Sequence, residues 1–357
     1  MHLSIGCNDY KSVREKAMSE FDWIARYFAP LSGETAWGLT DDAAFLPPLA
    51  VEESWVIAKD TMVAGVHFLG TEGWDLIARK LLRVNLSDMA AMGATPYGYL
   101  LSTAWPEGIT ETDIAAFTHG LQEDQQAFGI TLLGGDTVRS PGPAILTATL
   151  LGHVPTHQMI RRHGAKAGDA LAVSGTLGDG ALGLRVLRAV ASSQFSVASN
   201  RAAYEQLAFS TGNWQLTTDN FLPQRYLLPS PRIALGIGLR GIASSMMDVS
   251  DGLSSDLAHL CKASGVGAVV EATRLPRSPH THAIPDAEWL EAALHGGDDY
   301  ELLFTYPPDQ EEAVQQAGAT SHTPVTQIGR ISEGSAILMQ DREGKPTPLC
   351  PGGFRHF

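Results

Sequence analysis

The chain has 357 residues, 44% of them hydrophobic and 36 of them glycine, which is enough for two packed cores and excludes a disordered or fibrous protein. With 25 basic residues against 39 acidic ones the formal charge is −14, which argues against nucleic acid or an anionic membrane as partner. Three well-separated cysteines, Cys7, Cys261 and Cys350, fit no zinc spacing and suit a reducing, cytoplasmic setting.

The N-terminus has no basic segment followed by a sustained apolar core, so it does not read as a signal peptide. Residues 18–29 predict a short amphipathic helix that Pro30 ends. Residues 38–48 are too rich in turn formers for a long element. Residues 54–58 read as a strand that delivers Lys59 and Asp60 at its end. A helix then opens near Trp74 on a mixed but largely apolar stripe of Leu76, Ile77, Lys80, Leu81, Val84 and Met89, and stops at Gly93 ahead of Pro96. Asn85 and Asp88, three apart, share one face of it. Asp88 stands in the last turn, at the negative end of the helix dipole, so something positive should face it; Mg²⁺ is the expected partner. Next come a strand over 97–103, a helix over 111–128 with Ile114, Ala115, Phe117, Thr118 and Leu121 inward, a strand over 130–133 running into Gly134-Gly-Asp136, and a strand over 144–151. That last run is too short to span a bilayer.

The pattern restarts near residue 160, which predicts domains 1–155 and 156–357 of an α/β (α+β) protein. A strand over 170–174 leads through Gly175-Thr-Leu-Gly-Asp-Gly180 into a helix. That glycine-rich turn superficially resembles a phosphate cradle and reads more simply as a strand-to-helix turn. Residues 193–224 show weak periodicity and read as a connector or a surface helical region. Ser230-Pro231 suits the start of a helix to Leu239, and a buried strand over 242–247 ends in Asp248-Val-Ser-Asp-Gly252, where Ser250 or Asp251 would cap a helix to Cys261. Strands over 267–271 and 301–305 flank a helix over 286–294.

Acidic groups fall at the ends of these elements: Asp41-Asp42, Asp60, Asp88, Asp136, and Asp248 with Asp251. Singly each is an ordinary cap or turn former. Together, if the fold converges them, they repel unless protonated or bridged by cations. Oxygen donors without Cys or His select a hard ion, and Mg²⁺ keeps waters and phosphates as its other ligands. An acidic protein that handles a polyphosphate therefore uses several Mg²⁺ ions as intermediaries. No Gly-x-x-x-x-Gly-Lys-Ser/Thr loop is present, which excludes a P-loop kinase. The turn Gly296-Gly-Asp-Asp-Tyr-Glu301 would suit a cationic ligand as well as a plain turn, His67 reads equally as a surface group, and Arg162 as a phosphate clamp or a solvated basic patch.

In order along the chain, Thr40-Asp-Asp-Ala-Ala44, Asp60-Thr-Met-Val-Ala-Gly-Val-His-Phe68, Asn85-Leu-Ser-Asp-Met-Ala-Ala-Met-Gly-Ala94, Gly134-Gly-Asp-Thr137, Arg162-His-Gly-Ala-Lys-Ala-Gly-Asp169, Asp248-Val-Ser-Asp-Gly-Leu253 and Gly296-Gly-Asp-Asp-Tyr-Glu-Leu302 together resemble the thiamine-monophosphate kinases, within the aminoimidazole-ribonucleotide-synthetase superfamily of ATP-binding enzymes. The resemblance implies a two-domain fold, a homodimer whose N-terminal sheets pair into a barrel, and ATP-dependent phosphorylation of thiamine monophosphate to thiamine diphosphate. It implies Asp42, Asp60, Asp88, Asp136, Asp248 and Asp251 as Mg²⁺ ligands, with Asp88, Asp136 and Asp251 positioning the transfer. Gly135, Asp136, Arg162 and Ser250 would contact ATP, and His67 and Asp298 the thiamine nucleotide. The acceptor is itself a phosphate, so no dedicated acid or base is expected. Some positions depart from the family pattern: Ala58-Lys59 stand where hydroxyl residues precede the strand-end aspartate, Asp298 replaces a glutamate, and Pro351 and Arg355 replace an aromatic and an acid near the C-terminus.

Overall fold

The computed structural model describes residues 20–41, 43–44, 46–191 and 221–353. Asp42, Cys7, most of the predicted connector and Arg355 lie outside them. Helix α1 (Glu20–Trp23) continues as a π-helical turn, Ile24–Phe28, and a 3₁₀ turn, Ala29–Leu31, which brings Phe28 and Leu31 into the first core.

The first sheet has the order β1-β4-β2-β3, with β1 at Glu53–Val63, β2 at Thr95–Trp105, β3 at Thr131–Arg139 and β4 at Ile145–Pro155. Helices α2 (Trp74–Ala91) and α3 (Glu111–Phe128) cover one face, and their bounds match the apolar periodicity closely. They are joined by charge as well as packing, since the buried Asp124 of α3 receives Arg83 through Nε at 2.7 Å and Nη2 at 3.0 Å, and Arg79 through Nε at 3.0 Å. The other face is open and carries Ile57, Leu100, Val138 and Ile145 as exposed apolar side chains.

Two expectations change here. The strand through Trp55 does not stop before Asp60 but pairs with β4 as far as Val63, so Asp60 lies within it. The strand over 130–133 does not end at Leu133 but continues through Gly134-Gly-Asp136 as part of β3, paired with β2. A Cβ at Gly135 would stand 1.8 Å from the Leu101 carbonyl oxygen, so the approach of the two strands alone demands glycine.

The second sheet is seven-stranded, β11-β10-β7-β9-β5-β8-β6. Its strands β5 (Ala170–Ser174), β6 (Ser245–Val249), β7 (Gly267–Glu271) and β8 (Glu301–Tyr306) are largely apolar runs, as burial on both faces requires. Strands β9 (Val325–Ser332), β10 (Ile337–Gln340) and β11 (Pro346–Pro348) are additions that the sequence pattern did not predict. Around the sheet lie α4 (Asp179–Ala191), α5 (Phe221–Leu227), α6 (Ile233–Gly238), α7 (Leu253–Ser264), α8 (Asp286–His295) and α9 (Glu311–Thr320). Ser230-Pro231 does not cap α6, which starts at Ile233 with Arg232 as its N-cap; Arg232 Nε donates to Glu301 Oε2 at 2.7 Å. No helix among the described residues is long and apolar enough to cross a membrane.

Candidate active site

The two sheets meet where α2 crosses the end of β6. Ser87 and Asp88 sit in the last two turns of α2, and Asp248 near the end of β6. The Ser87 hydroxyl donates to Asp248 Oδ2 at 2.7 Å, with both side chains buried. Asn85, one turn back, accepts the Asp60 backbone N–H at 2.9 Å and donates to the Leu81 carbonyl at 2.9 Å. Asn85 thus locks β1 to α2, which places Asp60 beside the same crossing.

Electrostatics report the convergence. Burial, then the Asp248 and Asp60 carboxylates, push the Asp88 carboxyl up to about 8, and Arg162 works against that. Asp248 is raised to about 6, chiefly by burial and then by Asp60, while the Ser87 hydroxyl and Arg162 lower it. Asp60 is raised by desolvation and by Asp251, and lowered by His67. Asp256, absent from the sequence-based set, is raised to about 8 by burial, Asp248 and Asp251. Asp60, Asp88, Asp248 and Asp251 therefore share one field, and Arg162 is a cation that the chain itself sets against it. Among the described residues no three acidic, His or Cys side chains close into a preformed metal cage.

The helix start at Asp248-Val-Ser-Asp-Gly252 differs from the expectation. Gly252, at φ 114°, is the N-cap of α7, not Ser250 or Asp251. Asp256 Oδ2 reaches back to accept both the Asp251 and Gly252 N–H groups at 3.1 Å, which fixes the loop that carries Ser250 and Asp251. An acid in the first helical turn after the glycine is the signal that could have found Asp256.

Asp136 is not brought to this group. Asp60, Ala148, Leu101 and Gly135 form one row across the first sheet, and Thr61, Thr147, Ser102 and Asp136 the next, so Asp60 faces α2 and Asp136 faces the open side. Lys59 projects to that open side too, paired with Thr149, and Ala58 packs against the first core. Gly135 and Asp136 instead line a largely apolar cavity of about 440 Å³ beside β3, with Leu100, Leu132, Asp41 and Phe28.

The N–H groups of the Gly175–Gly180 turn are not left for a phosphate. The Gly178 and Gly180 N–H groups donate to the two oxygens of the buried Asp299 carboxyl at 2.7 and 3.0 Å, so the start of α4 already has its acceptor, although burial and Asp179 push that carboxyl up to about 8. Beside Asp299, Asp298 adopts φ +67° and pairs through Oδ1 with the buried Lys80 at 2.9 Å. The cation that this turn invites is a lysine of the same chain. His67, half-buried, accepts the Val63 N–H on Nδ1 at 3.0 Å.

The model of the AIR synthase related protein N-terminal domain matches residues 40–154 and that of the C-terminal domain residues 166–340. The thiamine-monophosphate kinase of Caulobacter vibrioides is 42% identical over 92% of this chain and 89% of its own length. The chain belongs to the thiamine-monophosphate kinase family. Among solved structures of that family, the kinase from Stenotrophomonas maltophilia K279a is 39% identical with a TM-score of 0.74, covering 87% of this chain and 91% of the other. A structure described as AaThiL complexed with AMPPCP and TMP is 28% identical with a TM-score of 0.71, and covers 97% of this chain and 100% of that one. Both the α/β architecture and the pairing of an N-terminal with a C-terminal domain model agree with the expectation for this family.

Proposed function

We propose that the protein phosphorylates thiamine monophosphate to thiamine diphosphate at the expense of ATP, by direct in-line transfer, in the cytoplasm. The observation that carries this reading is the shared field of Asp60, Asp88, Asp248 and Asp251 at the α2–β6 crossing, in a chain 42% identical to a kinase named for that reaction.

The donors suit Mg²⁺: they are hard oxygens, crowded enough to raise one another's proton affinity, and they do not close on one another. Mg²⁺ accepts this arrangement because it binds through one or two carboxylates and fills its octahedron with waters and phosphates. Asp60, Asp88, Asp248 and Asp251 would hold the ions, with Asp42 as a further candidate from outside the described residues. When bound, Mg²⁺ would neutralise the charge of the phosphate chain. Arg162 supplies charge to the same phosphates from the protein side, and Ser250 lies on the loop that Asp256 fixes. Gly135 and Asp136 work at the other end of the nucleotide, where the apolar cavity beside β3 suits a base. His67 and Asp298 receive the thiamine end. No side chain need act as a base, because the attacking group is a phosphate oxygen.

The domains are assigned as 1–155, with ATP and Mg²⁺ binding and dimerisation, and 156–357, which completes the cleft. A homodimer is supported by the open face of the first sheet, where Ile57, Leu100, Val138 and Ile145 are exposed. An assay of ATP with thiamine monophosphate, with and without Mg²⁺, tests the reading. Thiamine diphosphate should form only with the metal. Tight nucleotide binding without turnover would mark a nucleotide sensor instead.

A further inference from the structure

Lys80 is an outlier in the fold: a lysine on the covered side of α2 with only 3% of its surface exposed. Removing an ammonium from water is costly unless it is compensated, and three groups surround this one. Its Nζ donates to Asp298 Oδ1 at 2.9 Å. It stands 3.3 Å from the centre of the Tyr226 ring. A longer contact, 3.5 Å, reaches the His67 carbonyl oxygen. Tyr226 is itself 2% exposed, and its hydroxyl donates to that same carbonyl at 3.1 Å. Four separate pieces of chain thus meet at one ammonium: α2, the loop after β1, α5, and the loop before β8.

We infer that Lys80 and Tyr226 are one positioning unit that holds His67 and Asp298 at a fixed separation for the thiamine end of the substrate. The inference rests on the reading of His67 and Asp298 as substrate groups. Tyr226 sets the His67 backbone, and its ring supports the ammonium that sets Asp298. Asp298 needs such a hold, because its left-handed backbone is unusual for a residue with a side chain. Its own N–H donates to the Ser250 carbonyl at 2.9 Å, which ties the substrate-end turn to the loop that carries Asp251. With Oδ1 held by Lys80, Oδ2 is the oxygen of Asp298 offered to the ligand, and the side chain as a whole keeps 26% exposure.

The test is the split between the two Michaelis constants, with melting temperature recorded for each variant. Lys80→Met should raise the KM for thiamine monophosphate about tenfold and leave that for ATP within about twofold, the loss expected when a charged hydrogen bond no longer orients its partner. Tyr226→Phe keeps the ring beneath the ammonium and loses only the bond to His67, so a rise of about threefold is expected, again for thiamine monophosphate alone. If Lys80→Met does not fold, Tyr226→Phe decides by the same split. Equal rises in both constants, or an unchanged KM for thiamine monophosphate beside a lowered melting temperature, would overturn the positioning role. Asp298→Ala separates the two levels. If it raises the KM for thiamine monophosphate and the Lys80 and Tyr226 variants do not, only the positioning unit is lost. If it leaves that constant unchanged, or if the wild type does not convert thiamine monophosphate, the substrate assignment falls and takes the unit with it.

Discussion

Ser87 Oγ lies 2.7 Å from Asp248 Oδ2, and this one hydrogen bond joins the last turns of α2 to the end of β6. It is also the largest influence holding the Asp248 carboxyl down against its burial. A helix that belongs to the first sheet and a strand that belongs to the second are therefore registered at the point where the acidic residues gather. Ser87→Ala should leave a buried carboxylate oxygen without its donor, at a cost of about 1–3 kcal/mol in stability. Chemical denaturation of the metal-free protein measures it, and a variant as stable as the wild type would show that water replaces the serine.

Asp88 feels both the Asp248 and the Asp60 carboxylates. Asp88→Asn replaces a carboxyl whose ionisation burial and the Asp248 and Asp60 carboxylates already oppose, with little change in side-chain volume, so the apo protein should fold and be no less stable than the wild type. Turnover should fall by about a hundredfold or more if the carboxylate holds metal against phosphate. A second readout avoids activity altogether: the rise in melting temperature that Mg²⁺ with ATP gives the wild type should shrink in the variant. Retention of the full rate would remove Asp88 from the metal set.

Asp256 contributes to the pH response of the metal-free protein, alongside Asp88 and Asp299. Its carboxyl is raised to about 8 in the folded state, first by burial and then by Asp248 and Asp251, whereas an unfolded chain returns it to about 3.9. Between those values the folded state binds the extra proton. The contribution of this group to stability is therefore complete below the unfolded value and is lost progressively as pH rises to about 8. Asp256→Asn should flatten that loss, because an amide oxygen can still accept both the Asp251 and Gly252 N–H groups. Melting curves from about pH 5 to about pH 9 make the comparison. An identical slope in the two proteins would mean that Asp256 does not carry the proton.

Gly135 tests the difference between a glycine kept for a ligand and one kept for the fold. The Leu101 carbonyl oxygen crowds the place of a β-carbon there, at 1.8 Å. Gly135→Ala should therefore destabilise the apo protein by about 1–3 kcal/mol through strand displacement, before any nucleotide is added. Gly134→Ala, whose Cβ would meet only Leu100 Cδ2 at 3.4 Å, is the control. Equal stability of both variants and the wild type would assign Gly135 to ligand approach alone.

What the sequence determined by itself is local. The 3.6-residue apolar spacing of α2 and α3 set their limits, because one buried stripe on a helix leaves few alternatives. Short apolar runs marked β5 and β7 in the same way, and the ordered set of acidic motifs pointed to the family. Position across the sheets was another matter. Asp60 and Asp136 both follow apolar stretches, yet strand pairing sends one to the helical face and the other to the open face. Nothing in the chain near Lys80 announced a partner as remote as Asp298, and nothing near Asp256 announced that its carboxyl would be buried beside Asp248. Burial and charge pairing of that kind arise only when separate elements pack. A side chain's neighbours along the chain fix its helix or strand; its partners in space, and hence its proton and its charge, are fixed by the tertiary fold.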